Sequence, residues 1–253
     1  MRHATFAVAV LLACAWPARA QDPPPPEPTP VDTLTLDLAP LAKATAMRFA
    51  YQRKSGDAWS TLGSFRLTSA PIEGKAEVEL TDVLAVEANG RRMAIHITQR
   101  CALSNLLPLL GGTIQFRSRS AEGSEMAEDV TLEVTDGKFI ARKGEGAREA
   151  PWEAGTSSDM ALFRLVTLLP TTPDARYSVA HVLEAEDARI RHGCTFVCRG
   201  PEKLTRGEAS IDVTRFDMVR GPRTVGEYYT SGPLRLERVV MDGEKRLERE
   251  PDE

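Results

Sequence analysis

The chain has 253 residues, a net charge of −4 at pH 7, and 42% hydrophobic against 27% charged residues. That length holds one or two domains with a sizeable core. Acidic and basic residues are interspersed, so no basic face marks the chain as a nucleic-acid binder, and no segment after the leader is long and apolar enough for a transmembrane helix.

Residues 1–20 read as a signal peptide. Arg2 is a minimal basic n-region, Thr5 to Cys14 an apolar run, and Ala18-Arg19-Ala20 a small-x-small cleavage site before Gln21. The expectation is export, to the periplasm or the outside. Leu11-Leu12-Ala13-Cys14 offers an alternative, a lipobox that would anchor the protein through a lipid on Cys14. Cleavage removes Arg2 and Arg19 and takes the net charge from −4 to −6. Residues 21–32 read as a proline-rich linker, QDPPPPEPTP being expected to run extended as polyproline does. Residues 33–253 then read as a single β-rich domain.

Alternation of period two predicts strands at Thr33–Leu38, Ala46–Arg53, Gly63–Ser69 and Lys75–Leu80, with Met47, Phe49, Tyr51, Phe65, Leu67 and Val78 on buried faces. Three Asx-Gly pairs predict hairpins. Asn89-Gly90 joins Leu84–Ala88 to Arg92–Gln99, where Met93, Ile95 and Ile97 face inward. Asp136-Gly137 joins Val130–Thr135, with Leu132 and Val134 inward, to Lys138–Lys143. Asp242-Gly243 closes the last hairpin, which is highly charged and reads as a solvated edge. Asx-Gly supplies the positive φ angles that a type I′ turn requires. Cys101–Gly112 reads as a short broken helix or an apolar loop, and Ala147–Gly155 as a loop. Arg176–Leu183, Ala188–Cys198, Ala209–Val219 and Val225–Ser231 read as further strands. A change of face between Val213 and Phe216 predicts a bulge.

One apolar helix interrupts the strands, over Ser157–Pro170. A serine caps it, Asp159 complements its positive end and Pro170 stops it. Met160, Leu162, Phe163, Leu165, Val166, Leu168 and Leu169 cover most of its circumference and leave Arg164 and Thr167 as its polar interior residues, the pattern of a helix buried on several sides. Such a helix must pack against the sheet. The fold class is therefore mainly β (α+β), a curved antiparallel sheet or half-barrel wrapping one apolar helix. Its concave face would be lined by Met47, Phe49, Tyr51, Phe65, Met93, Ile95, Leu132 and Val134, with Met160 and Phe163 facing them from the helix.

After the leader, the cysteines are Cys101, Cys194 and Cys198. In an exported chain they are disulfide candidates. Cys194 and Cys198 would lie about 13 Å apart in an extended strand, so they pair only if the chain turns; otherwise one of them reaches Cys101. His192-x-Cys194-x3-Cys198 lacks the C-x-x-C knuckle of structural zinc sites and reads as a disulfide or buried thiols instead of a metal site. The chain carries no G-x-S-x-G, H-E-x-x-H, Walker loop or G-x-G-x-x-G. No catalytic residue, cofactor or metal is assigned, and an enzyme is not expected.

The order of leader, strand meander, apolar helix ending in Leu168-Leu169-Pro170 and further strands, closing with Gly232-Pro233-Leu234-Arg235-Leu236-Glu237-Arg238 and Asp242-Gly243, resembles the half-barrel proteins of the bacterial envelope, the LolA/LolB lipoprotein-localisation factors among them. The resemblance is one of layout over roughly residues 40–250. It implies an apolar, ligand-holding concave face. The expected function is a non-enzymatic envelope protein that binds or carries a lipid, an acyl chain or a lipoprotein. The alternative is an assembly protein that acts through contacts with an envelope partner, with the helix filling the core.

Overall fold

The computed structural model describes residues 26–88, 90–153, 155–184 and 189–251. The leader, the lipobox cysteine and the first half of the linker lie outside the described residues.

Two runs of antiparallel hairpins build the molecule. The first holds β2 (Thr45–Ser55), β3 (Ala58–Pro71), β4 (Glu77–Ala88), β5 (Arg91–Ala102), β6 (Leu109–Ser120), β7 (Glu125–Thr135), β8 (Lys138–Lys143) and β9 (Gly146–Pro151). The second holds β11 (Arg176–Glu184), β12 (Arg189–Arg206), β13 (Ala209–Arg220), β14 (Arg223–Gly232), β15 (Arg235–Met241) and β16 (Lys245–Arg249). Two short strands, β1 (Thr29–Pro30) and β10 (Thr156–Ser158), lie parallel to β11 on its free side. The two runs meet where β16 pairs with β2, with Leu247 opposite Tyr51, so the charged last hairpin is not the solvated edge expected of it but the joint of the sheet. The result is one curved sheet running from β11 through β16 and β2 to β9, and among the described residues β9 does not pair onward to close it.

The turns follow their residues. Asp136-Gly137 and Asp242-Gly243 have φ of 50° and 70°, and 50° and 68°, as the type I′ turn needs. Gly63 permits the bend of β3, because a Cβ there would lie 1.9 Å from the Ala85 carbonyl oxygen. A register shift between Cys198 and Gly200, opposite Phe216 and Arg215, supplies the predicted bulge but on the neighbouring strand, with Arg199 as the extra residue. Thr68, Thr81, Thr98, Thr113 and Thr131 stand directly opposite one another across β3 to β7, a row of β-branched pairs that favours this register.

The chain crosses the interior as α1 (Asp159–Leu165), followed by a 3₁₀ turn over Val166–Leu168. Seven residues do not hold a helix in water, so burial sustains it. Ser158 caps it, accepting from the Ala161 N–H at 3.0 Å. Leu162, Leu165, Val166 and Leu169 are buried in a core shared with Met47, Phe49, Leu67, Phe196 and Phe216. An aromatic chain runs past the helix, with ring centroids 5.6 Å apart for Phe65–Phe163, 6.1 Å for Phe163–Tyr228 and 5.6 Å for Phe196–Tyr228.

Four local expectations are corrected. Thr33–Leu38 is not a strand: Val31–Thr33 forms a 3₁₀ turn, and the chain then runs irregularly to a second one at Ala39–Ala42. The end of the linker belongs to the fold, since Thr29–Pro30 pairs with β11 and Val31 is fully buried in the main core. Ala147–Gly155 is largely strand, because Gly146–Pro151 pairs with β8. The disulfide is replaced by three buried free thiols, Cys101, Cys194 and Cys198. Cys194 and Cys198 lie on β12 and Cys101 on β5, so the strand framework holds the two neighbours extended and the third on another wall.

Candidate functional site

A cavity of about 170 Å³ lies between the helix and the sheet. Met160 and Phe163 face it from α1. Tyr51, Phe65, Leu84, Ile95 and Ile97 face it from β2 to β5, and Met241 and Leu247 from β15 and β16. Two polar residues complete the lining, Asp82 and Lys245. They differ in kind. Asp82 is buried and paired, whereas Lys245 is exposed at the rim.

Asp82 forms an ion pair with Arg164 of the helix, and their side chains are 2% and 0% exposed. Arg164 also donates to the carbonyls of Thr68 (2.8 Å), Met160 (3.0 Å) and Thr81 (3.4 Å), and to the Ser69 hydroxyl (3.4 Å). The guanidinium thus ties the helix to β3 and β4. Burial pushes the Asp82 carboxyl above its ordinary range, against the charge and hydrogen bond of Arg164. Two further ties fix the helix. The Ser158 hydroxyl donates to Gln99 Oε1 at 2.6 Å, and the Thr167 hydroxyl accepts from the Leu234 N–H at 3.0 Å. The helix is therefore core along one side and cavity wall along the other, and it is not free to swing.

Five of the ten predicted lining residues meet at the cavity: Tyr51, Phe65, Ile95, Met160 and Phe163. Met47 and Phe49 lie in the packed core. Leu132 is buried in a separate cluster with Ile97, Ile114 and Phe139, and Val134 packs against that cluster. Met93 lines a different, open groove of about 700 Å³ across β3 to β7, which is floored by Gly63, Ala85, Ala94 and Ala127. The arginines of that groove already have partners: Arg92 with Glu87 (3.0 Å), Arg117 with Asp129 (2.6 Å) and Arg119 with Glu125 (3.6 Å). It is wide and shallow, and the smaller cavity beside the helix is the better-formed site. Sequence reasoning missed Asp82, Leu84, Ile97, Met241, Lys245 and Leu247. Of these, all but Asp82 stood in predicted strands or hairpin arms, but no pattern placed them beside the helix.

All three thiols are buried, which disfavours the thiolate. Burial pushes Cys101 and Cys194 up to about 12, and it also raises Cys198, which keeps them protonated. Among the described residues, no group of three or more His, Cys, Asp or Glu is placed to hold a metal ion, and no helix is long and apolar enough to cross a membrane.

An unclosed antiparallel sheet curled around an internal helix defines the class: a β-barrel-like protein. A solved structure similar to this chain is the β-barrel-like protein of a domain of unknown function, DUF1849, from Brucella abortus, with a TM-score of 0.52 and 9% identity, covering 84% of this chain and 99% of that one. At that identity the likeness concerns the fold. No family model and no curated protein matches the sequence.

Proposed function

We propose that the protein is an exported, non-catalytic envelope protein that holds an apolar ligand, the acyl part of a lipid or lipoprotein, between the helix and the concave sheet face. The observation that supports this is the cavity: nine of its eleven lining residues are apolar or aromatic, and the helix that walls it is anchored, so the space is pre-formed. Its volume matches that of an engineered apolar cavity that stays dry and takes benzene. About six carbons fit, with the rest of a longer ligand lying outside. The export part of the reading rests on residues 1–20 alone.

Displacement of a fluorescent fatty-acid probe tests it. Saturable one-to-one binding is expected, with loss of binding in Met160→Trp, whose indole fills the cavity. No saturable binding, or unchanged binding in that variant, removes the reading.

A second reading, an assembly protein acting through protein contacts, is favoured by the outer edge of β9, which has no strand partner among the described residues. Arg148, Glu149 and Pro151 on that short strand are residues that discourage indiscriminate pairing, so the cavity remains the better-supported site.

A further inference from the structure

The cavity has a charged rim on one side only. Lys245 lines it, and directly opposite on β2 stands Arg53, so the two cations face each other across the β16–β2 pair. Directly opposed like charges destabilise a sheet. Neither Lys245 nor Arg53 forms an ion pair or side-chain hydrogen bond among the described residues, although ion pairs are plentiful on the strands around them: Arg246 is paired with Glu248 at 3.5 Å and Arg238 with Glu248 at 2.5 Å. At the floor, by contrast, Asp82 is neutralised by Arg164. The site therefore runs from an uncompensated positive rim, through an apolar body, to a neutral floor.

From this polarity we infer that the ligand is an anionic amphiphile, with its acidic head at Lys245 and Arg53 and about six carbons of its apolar part between Phe163, Ile95 and Leu247. This deepens the proposed function and rests on it. A carboxylate and a phosphate monoester present the same chemistry to two cations, and both are accepted in an exposed site where Lys and Arg act as charges on flexible stems. A cationic head would meet two like charges. An uncharged alcohol of equal length would gain only the burial of its chain.

The experiment is a titration of the protein with octanoate, octyl phosphate, octanol and octyltrimethylammonium, followed through the methyl NMR signals of Met160 and Met241. The four ligands share one chain, so differences report the head. Octanoate and octyl phosphate are expected to bind at least about tenfold more tightly than octanol, a difference of about 1.4 kcal/mol. The advantage should shrink as salt rises. The double variant Lys245→Met, Arg53→Gln should erase it, so that the two acids bind no more tightly than octanol does on that same variant; both residues are exposed and outside the core, so the fold is kept. The ratio of octanoate to octyl phosphate affinity tells which acid the rim prefers. Equal binding of octanol and octanoate, or an advantage that survives in the double variant, overturns the anionic head while leaving the apolar site intact. If none of the four ligands moves either methyl signal, the apolar site fails as well.

Discussion

The buried ion pair between Asp82 and Arg164 lets the anchoring of the helix be measured. Asp82→Leu leaves a guanidinium, fully buried, with three carbonyls and a hydroxyl but no counter-charge. Removing one partner of such a pair costs about 3–5 kcal/mol, and the remaining hydrogen bonds place this case near about 3 kcal/mol. Arg164→Met leaves a lone buried carboxylate, with a cost of the same order at neutral pH. Because burial raises the Asp82 pKa, the folded state takes up a proton more readily than the unfolded chain. Stability contributed by that group therefore falls as pH rises from about 3.8 through the raised value. The Arg164→Met variant should accordingly recover part of its loss on acidification, as the carboxyl protonates. The double variant Asp82→Leu, Arg164→Met puts apolar groups on both sides, and the neighbouring cavity gives leucine room, so its cost should fall well short of the sum of the singles. A coupling of about 3 kcal/mol is expected from urea unfolding followed by tryptophan fluorescence. For a domain with about 5–15 kcal/mol of stability, each single variant should lose a large part of the total. Single costs below about 1 kcal/mol, or a strictly additive double variant, would refute the view that the pair holds the helix in place.

Other outcomes follow from particular contacts. Burial raises the Glu237 carboxyl, but hydrogen bonds from Ser231 and Arg206 and the charges of Arg249 and Arg206 outweigh it and hold it below its ordinary 4.5. Its stabilisation is thus present above 4.5 and lost as pH falls through the lowered value, so Glu237→Gln should be less stable than the wild type at pH 7 and converge with it under acid. Gly63→Ala places a methyl group on the Ala85 carbonyl and should lower the unfolding midpoint clearly, whereas Gly56→Ala, with open space around it, should show only the mild strain of its positive φ. Ser158→Ala should cost about 1 kcal/mol for the cap, and more if Gln99, left without its donor, finds no water; a stability within error of wild type counts against the cap. Alkylation of the native protein followed by mass spectrometry should leave Cys101, Cys194 and Cys198 unmodified until denaturant is added, and rapid native labelling of any of them contradicts its burial.

The sheet was legible because its signals are local. An aspartate–glycine pair states a turn type, and period-two alternation states which face is buried. The helix was equally plain, with a serine cap, an acidic first turn and a proline stop. Alternation says nothing about depth along a strand, and this limited the site. Met47, Phe49 and Tyr51 share a face, yet only Tyr51 reaches the cavity. Thr33–Leu38 alternates like a strand, but it lies as an irregular stretch between two 3₁₀ turns and buries Leu36 alone within it. The pairing of Asp82 with Arg164 is non-local, and its one sequence signal was a lone arginine inside an otherwise apolar helix. Lys245 looked like any solvated charge in a polar hairpin. Its meaning comes from standing opposite Arg53, which depends on how β16 docks on β2.

That junction also differs from every other strand pairing in its reach along the chain. Within each run, every strand pairs with its neighbour in sequence through a short turn, and such contacts form early because they close small loops. The pairing of β16 with β2 joins strands almost two hundred residues apart, as between Leu247 and Tyr51, and closes the longest loop of any strand pairing among the described residues. Tyr51, Lys245 and Leu247 all contribute to the cavity, so the cavity exists only where this pairing is made. A ligand that recognises the completed cavity selects chains that have docked their last strand, and it stabilises that docked state in proportion to the logarithm of its concentration. Occupancy would then report the finished molecule, and an unfilled cavity would leave this pairing without that added stabilisation.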